Sequence, residues 1–527
     1  MSEPQTITGI GTKAVRPAPD KQANIGGKAR ENNGAWNPLI DWEEVYPGNR
    51  GINREGLYDL YDAPVGIRLA VEEGRASQPL LRSETAWEGG GGLQPYGLWQ
   101  ADAKYHLLYG AYPPGGNCWM CYAVSADGDT WIRPALGQVS FQGSTANNIV
   151  AELPAGGPGF FIDPTAPPAA RFKYMIQEGG SFDNVTGERL SDEEWQKRLR
   201  AQDLEGPTYT GPRMVFRHWV SGFCSPDGIH WQRLEKTLAV FPADGGIAPG
   251  YDPATGAYFA YLRPAGVGRR AIALTHTHDF HHWPSPRLVL FPDPQDEPDV
   301  SFYGANYFAY PGRDDLHGLV VQVYHQNVDT IDNQIAFSRD GVFWQRPERR
   351  AIIPLGPAGS GYECMNRAWG GGLVELPDGQ WATLHEGVSF AHNFRAQVAT
   401  IDPFPLRSPG QIRWARWQPH RLCGLEAVGE GRFTIPAINR SQNELRLNYR
   451  CQPGGWVKVE LIAAIPSRLN PDAEGAPGFT FADCDRLIGD ELDRVVTWRG
   501  NRDTSAVGET IAVRVQMFQA KLFAYRC

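Results

Sequence analysis

The sequence predicts an all-β chain, a five-bladed β-propeller followed by a C-terminal β-sandwich. Three observations predict it. A turn written Ser-x-Asp-Gly-x-x-Trp recurs along the chain. A second signal, two strands joined at an Asp-containing turn, recurs with a period of about 60 residues. Gly (60), Pro (42) and Trp (17) are abundant among the 527 residues, which suits many short strands and tight turns better than long helices.

The first signal reads SADGDTW from Ser125 to Trp131, SPDGIHW from Ser225 to Trp231 and SRDGVFW from Ser338 to Trp344, with a looser copy, THDFHHW, from Thr277 to Trp283. Asp-Gly makes a tight turn, Ser or Thr bonds the local backbone, and the Trp packs between sheets. The second signal centres on Asp102, Asp163, Asp252, Asp314 and Asp378, at intervals of 61, 89, 62 and 64 residues. The long interval contains an inserted segment, residues 181–213, in which Ser191 followed by Glu194 signals the N-terminus of a short helix. Four strands per unit at this period make propeller blades, and five units make five blades. The fifth unit has TIDPFPLRSPGQIRW in place of the turn, so a strand from residues before Glu84 is expected to close the ring. From Trp414 the blade turns stop, and LRLNYRC, WVKVELIAAI, VVTWRG, TIAVRVQMF and KLFAYRC read as alternating strands of a sandwich. The expected division is a polar tail at 1–35, the propeller at 36–413 and the sandwich at 414–527.

A net charge of −9 argues against a nucleic-acid partner, which needs a basic surface. No apolar run reaches the roughly 18 residues that span a bilayer, so no membrane partner is expected. The first residues, MSEPQTITGIGTKAVRPAPDKQ, lack an apolar signal core, and a cytoplasmic location is the expectation. Of eight cysteines, Cys118 and Cys121 form CWMC inside a strand-like run. Residues three apart on a strand face opposite sides, and no second CxxC completes a zinc site, so reduced, buried thiols are expected.

Blade topology sorts the loops. The Asp turns and the Trp turns lie on one face as scaffold, and the varied loops lie on the other, where function is free to reside. Asp163, in Ile162-Asp163-Pro164, therefore reads as turn chemistry, and His276, His278, His281 and His282 as surface histidines. The opposite face collects Glu88, Asn147, Asn148, Asp244, Asp296, Asp299, Glu363 and Arg367 from the strand entries. It takes Glu178, Arg263, Tyr324, His325, Gln326, His385 and Glu386 from the second loops. Converging carboxylates raise one another's pKa or need partners. Two chemistries use them: a carboxylate pair that cleaves a glycosidic bond, or a bound cation such as a structural Ca2+ at the axis. Ordinary pairing with surface arginines is the alternative for any single one of them.

The phrases RFKYM, SPDGIHW, FSRDGVFWQRP and YDPATGAYFAYLR, with ELRLNYRCQPGGWVKVELIAA and IAVRVQMFQAKLFAYRC, resemble glycoside hydrolase family 32 and, for the propeller alone, family 43. The resemblance covers residues 57–527 at the level of architecture. It implies a carbohydrate-directed propeller with a sandwich behind it. Fructan-cleaving members carry Trp-x-Asn-Asp-Pro-Asn-Gly, whereas AWNPLIDW has Asn37 and Pro38 with no Asp between them. Glu363-Cys364 lies 200 residues beyond Asp163, far from the family's spacing, so fructose specificity does not carry over. The expected function is a glycosidase needing no cofactor, with catalytic carboxylates among Glu88, Asp244, Asp299 and Glu363. Substrate would be bound by Asn148, Glu178, Arg263, His325, Arg367, His385 and Glu386. The alternatives are a non-catalytic carbohydrate-binding propeller, and a metal-dependent lyase or oxidoreductase using His325, His385 and His392 with Glu386.

Overall fold

The computed structural model describes residues 8–9, 30–52, 58–113, 118–153, 157, 159–183, 190–191, 193–194, 197, 215–239, 243, 245–264, 269–394, 408–463 and 474–527. The fold is all-β. It divides into two compact units: Met1–Pro17, Gly74–Trp344 and Ala351–Arg416 form the first, and Ala18–Glu73, Gln345–Arg350 and Trp417–Cys527 the second.

The first unit is a succession of antiparallel sheets, each laid down largely in chain order. The first sheet holds Gly92–Ala101, Lys104–Tyr112, Cys118–Ser125 and Trp131–Ile132; the second holds Gly159–Ile162, Phe172–Asp183, Val215–Ser225 and Gln232–Arg233. The third is Ala248–Asp252, Ala257–Leu262, Ile272–Thr277 and Arg287–Leu290. The fourth, Val300–Ala309, His317–His325 and Thr330–Ser338, is joined through the Ile331–Met365 bridge to the fifth. The fifth holds Met365–Ala368, Trp381–Val388 and Gln411–Trp417, and its outer edge is supplied by Arg75–Ala76 and Leu81–Arg82. Residues before Glu84 thus supply the last strands, as expected.

The repeated turn has one geometry in its three full copies. Ser125, Ser225 and Ser338 accept the amides of Gly128, Gly228 and Gly341, each at 2.9 Å. Asp127, Asp227 and Asp340 each cap two further amides. The indoles of Trp131, Trp231 and Trp344 donate back to the turn glycine carbonyls at 3.0, 2.9 and 3.1 Å. In the loose copy Trp283 donates to the Phe280 carbonyl at 2.7 Å. Among the described residues the fifth sheet shows no such turn, and its Trp414 donates to the Gly128 carbonyl of the first sheet at 2.8 Å.

Glycines let the first strands of the five sheets meet in cyclic order. A Cβ on Gly97 would come within 2.3 Å of Phe160, one on Gly159 within 2.1 Å of Pro249, and one on Gly246 within 3.1 Å of Gly304. One on Gly304 would come within 3.1 Å of Trp369, and one on Gly370 within 2.2 Å of the Tyr96 carbonyl. Between the sheets lie aromatic layers, including Trp99, Phe160 and Phe172 and Phe259, Tyr261 and Tyr307. Each such pair adds about 0.5–1.5 kcal/mol beyond the area it buries.

The second unit is built around a seven-stranded sheet with three long strands, Cys423–Asn439, Thr510–Arg526 and Arg446–Ala463, and also holds a two-stranded sheet, Asn49–Ile52 with Tyr58–Tyr61. Two pairs of expected strands are single strands here: LRLNYRC continues into WVKVELIAAI, and TIAVRVQMF into KLFAYRC. The register shift between Cys451 and Trp456 bends the ladder without ending it, as bulges do. Residues 36–73 were expected with the first unit. Instead, Asn37–Pro38 pairs with Thr510–Arg526, and Arg68–Val71 pairs with Cys423–Asn439. These segments are short, carry no repeated turn, and find the ladder groups they need on the long strands. Even within the expected tail, Arg30–Glu31 pairs with Cys423–Asn439. Of the insertion 181–213, Ser191 accepts the Glu194 amide at 3.1 Å as an N-cap would; the rest of the helix expectation lies outside the described residues.

Candidate functional site

The loops that carry none of the repeated turns bring residues of three sheets onto one ring, that of Tyr303. The register between Val300–Ala309 and His317–His325 shifts between Phe302 and Gly304, and Tyr303 is the extra residue. The Arg263 guanidinium lies 4.2 Å from its centroid, Arg367 5.6 Å and Arg270 5.8 Å. His392 meets it edge-on at 4.7 Å and Tyr324 at 6.1 Å. Arg270 also covers Tyr324 at 5.4 Å. A guanidinium over a ring face is worth about 0.5–2 kcal/mol, depending on desolvation. The third, fourth and fifth sheets are therefore tied together at this point.

Arg367 and Glu386 are paired in register on adjacent strands, so both side chains leave the same face. Arg367 Nε and Nη2 each donate at 2.8 Å to the Glu386 carboxylate, and the side chains are 2% and 0% exposed. Burial alone would lower the guanidinium pKa, but Glu386 more than reverses this and holds it above its ordinary value. This is a fixed ion pair. It holds the Arg367 guanidinium 5.6 Å from the Tyr303 centroid.

His325 ends its strand beside Val300, whose cross-strand partner it is. Its Nε2 lies 3.0 Å from Asp332 Oδ2, and that hydrogen bond raises its pKa, with Asp299 adding charge of the same effect. Asp299 accepts the Asn327 amide at 3.1 Å, and its carbonyl accepts the Gln326 amide at 3.2 Å. Tyr324 donates to Asp329 at 2.7 Å; burial and this partner push its phenol up to about 12. Glu363 is partly exposed and accepts two long bonds, from Gly359 N at 3.3 Å and Ser360 Oγ at 3.4 Å. The next residue ties it to the same edge, because the Cys364 carbonyl accepts the Ile331 amide at 3.1 Å. Among the described residues neither Asp299 nor Glu363 forms an ion pair.

Other sequence candidates are occupied elsewhere. Glu88 is fully buried. It accepts from the amides of Glu84 and Thr85 at 3.0 Å, from Tyr109 at 2.7 Å and from Arg133 Nε at 2.9 Å. Asn148 belongs to the same network, bonding Tyr109, the Tyr122 carbonyl and the Trp87 indole. Glu178 is held by Arg233 at 2.7 Å and Ser221 at 2.5 Å. Sequence position selected all three, but the chain spends their acceptors on internal donors, which is the cheaper state for a buried carboxylate. Asp244 lies outside the described residues.

His385 is fully buried with Nδ1 at 3.1 Å from the Glu386 carbonyl and Nε2 without a partner; burial lowers its pKa to about 4. With His325 on Asp332, His385 on a backbone carbonyl and His392 against two tyrosines, the three histidines of the metal reading have separate partners. No group of three His, Cys, Asp or Glu side chains that could hold a metal ion exists among the described residues.

Comparison with known proteins adds likenesses of shape. No protein-family model matches the chain, and no curated protein does. Among solved structures, it is similar to an N-acetylgalactosamine deacetylase from F. plautii, solved in complex with blood group B trisaccharide. There the TM-score is 0.38 at 12% identity, over 74% of this chain and 94% of that one. A family-32 β-fructofuranosidase from Bombyx mori gives a TM-score of 0.36 at 9% identity, over 84% and 94%. An α-L-arabinofuranosidase from Podospora anserina gives 0.38 at 12%, over 66% and 98%.

The scaffold readings agree with the geometry. Asp163 caps Thr165 and Ala166 and accepts Tyr258 Oη at 2.7 Å, which is turn chemistry. His276, His278, His281 and His282 are exposed or nearly so, with His282 on Asp279 at 2.6 Å. Cys121 is buried and Cys118 partly so, both unbridged. Sequence reasoning missed Tyr303, Arg270 and Asp332. The run DEPDVSFYGANY contains an aromatic beside a glycine in mid-strand, a bulge signal that marks such a residue for redirection.

Proposed function

We propose that the chain is a glycoside-cleaving enzyme. In this reading the five sheets are the blades of a propeller, the long-stranded unit is its sandwich, and the site lies over Tyr303. The cyclic order of the glycine contacts supports the blades. The observation that carries the function is the convergence of Arg263, Arg270, Tyr324, His392 and the Arg367–Glu386 pair on one aromatic ring, together with two carboxylates, Asp299 and Glu363, that form no ion pair among the described residues. Aromatic edges and faces accept the apolar faces of sugar rings, and fixed guanidiniums bond their hydroxyls.

Asp299 and Glu363 are assigned the reacting carboxylates: one protonates the leaving oxygen, and the other attacks the anomeric carbon or activates water. Asp244 remains a third candidate from the sequence. His325, held by Asp332, is assigned to substrate binding beside Asp299. The reaction so drawn calls for no cofactor.

The test is turnover of a panel of aryl and natural glycosides by Asp299→Asn and Glu363→Gln. Loss of about 10²–10⁴-fold in kcat in either variant, with unchanged circular dichroism, is the expected result. Wild-type rates in both would end this assignment. Sugar binding by a wild-type protein that forms no product would favour the non-catalytic binding reading instead.

A further inference from the structure

We infer that the second unit carries a separate binding pocket for a small neutral saccharide, on the face of its sheet where three strands lose register together. On one side of Thr510–Arg526 the register shifts between Ala427 and Glu430, and on the other between Cys451 and Trp456. Both shifts fall opposite the same residue, Gln519, which takes a positive φ of 45°. The ladder is thereby opened on both sides of one strand at one level, and the sheet is dished there. The resulting cavity is about 410 Å3, within the range of small-ligand sites.

Its lining follows from strand alternation. Glu426, Lys521 and Arg450 are cross-strand neighbours in one rung, and all three line the cavity. Two residues along, Gln519 and Gln452 line it as well, with Val428, 67% exposed, at the edge. Lys521, 3% exposed, is anchored to Glu72 at 2.7 Å and to the Val71 carbonyl at 3.1 Å. Arg450 Nη2 reaches both oxygens of Glu72 at 2.8 Å, which leaves its Nε and Nη1 hydrogens for the cavity. Glu426 receives both bonds of Arg68 on Oε2, at 2.9 and 2.6 Å, which leaves Oε1. The charged rung is thus held by partners outside the cavity and offers it a fixed set of donors and acceptors.

The set suits hydroxyl groups. Arg450 only donates, Glu426 only accepts, and Gln452 and Gln519 do both. A sugar hydroxyl donates and accepts at once, so adjacent hydroxyls can satisfy the whole row. A simple anion would use Arg450 but would meet Glu426; an apolar ligand would strand every polar group. The polar lining of the dished sheet therefore selects a neutral polyhydroxy ligand. The pocket lies wholly within the second unit, and the inference stands apart from the hydrolytic assignment.

The experiment is a titration of the full chain with glucose, galactose, xylose, arabinose and glucuronate, followed by saturation-transfer NMR and calorimetry. The wild-type protein and Asp299→Asn should both show saturable binding of at least one neutral sugar, stronger than that of glucuronate. Gln452→Ala and Gln519→Ala should weaken that binding about tenfold, and Gln452→Ala, an exposed residue, should fold and turn over glycosides as the wild type does. The inference is overturned if no neutral sugar saturates the wild type. It is equally overturned if glucuronate binds better, or if binding survives both glutamine variants and is lost in Asp299→Asn. Absence of hydrolysis would leave these titrations unaltered, so the two assignments fail separately.

Discussion

Replacing Arg367 by Met removes one half of the buried ion pair and leaves the Glu386 carboxylate, 0% exposed, without its two 2.8 Å donors. Breaking such a pair costs about 3–5 kcal/mol, because a desolvated charge is left uncompensated. Replacing both partners by apolar groups of similar volume is near neutral, since no charge then remains to be solvated. Arg367→Met should therefore be far less stable than Arg367→Met/Glu386→Leu. With two compact units, a single global unfolding free energy is a poor readout. Native-state hydrogen exchange of the slow amides in Trp381–Val388, the strand that carries Glu386, reads the loss locally. At 1.36 kcal/mol per decade the single variant should exchange about 150- to 5,000-fold faster there, and the double variant within about tenfold of wild type. A single-variant change under about fivefold, or a double variant as fast as the sum of both singles, would show that the pair does not hold these two strands together.

Acid should weaken the first unit through His385. Its pKa is about 4 in the folded protein against an ordinary 6.5, so the unfolded chain binds the proton first. The contribution is whole at and above pH 6.5 and is lost as pH falls towards 4, a span of about 3 kcal/mol; His385→Gln should flatten the stability profile across that window. Asp332→Asn should lower the His325 pKa, raised in the wild type mainly by its hydrogen bond to Asp332, and an NMR titration that leaves it unmoved would remove Asp332 as the cause. Gly97→Ala should cost about 1–3 kcal/mol, seen in thermal unfolding, since its Cβ would lie 2.3 Å from Phe160. Asp163→Asn should lower the melting temperature while glycoside turnover stays within about twofold; a hundredfold loss of turnover would return Asp163 to the catalytic set.

The repeats were legible because their chemistry is local. Ser125, Asp127, Gly128 and Trp131 bond one another within seven residues, so the motif carries its own structure wherever it is written. Asp163 could be set aside as a turn residue for the same reason. The candidate site was legible only in part. Arg263, Arg367 and Glu386 were read from the sequence onto one face, and the structure brings Arg263 and Arg367 to Tyr303 with Glu386 paired to Arg367. Glu88 and Glu178 looked the same in sequence, yet Arg133 and Arg233 claim their oxygens from 45 and 55 residues away. Nothing in a one-dimensional pattern tells a carboxylate that faces an arginine from one that faces an opening.

The same division holds in the second unit. Alternating apolar residues marked Arg446–Ala463 and Thr510–Arg526 as strand, because the side-chain period of a strand is a property of the backbone alone. Whether LRLNYRC and WVKVELIAAI are two strands or one, and that residues 36–73 join them, was decided by the partners available across the sheet. Backbone groups take the nearest ladder that satisfies them, and that ladder exists only once distant segments have met. Local bonds wrote the turns, the strands and the repeat; long-range pairing chose the edges, the bulges at Tyr303 and Gln519, and which charges remain open to a ligand.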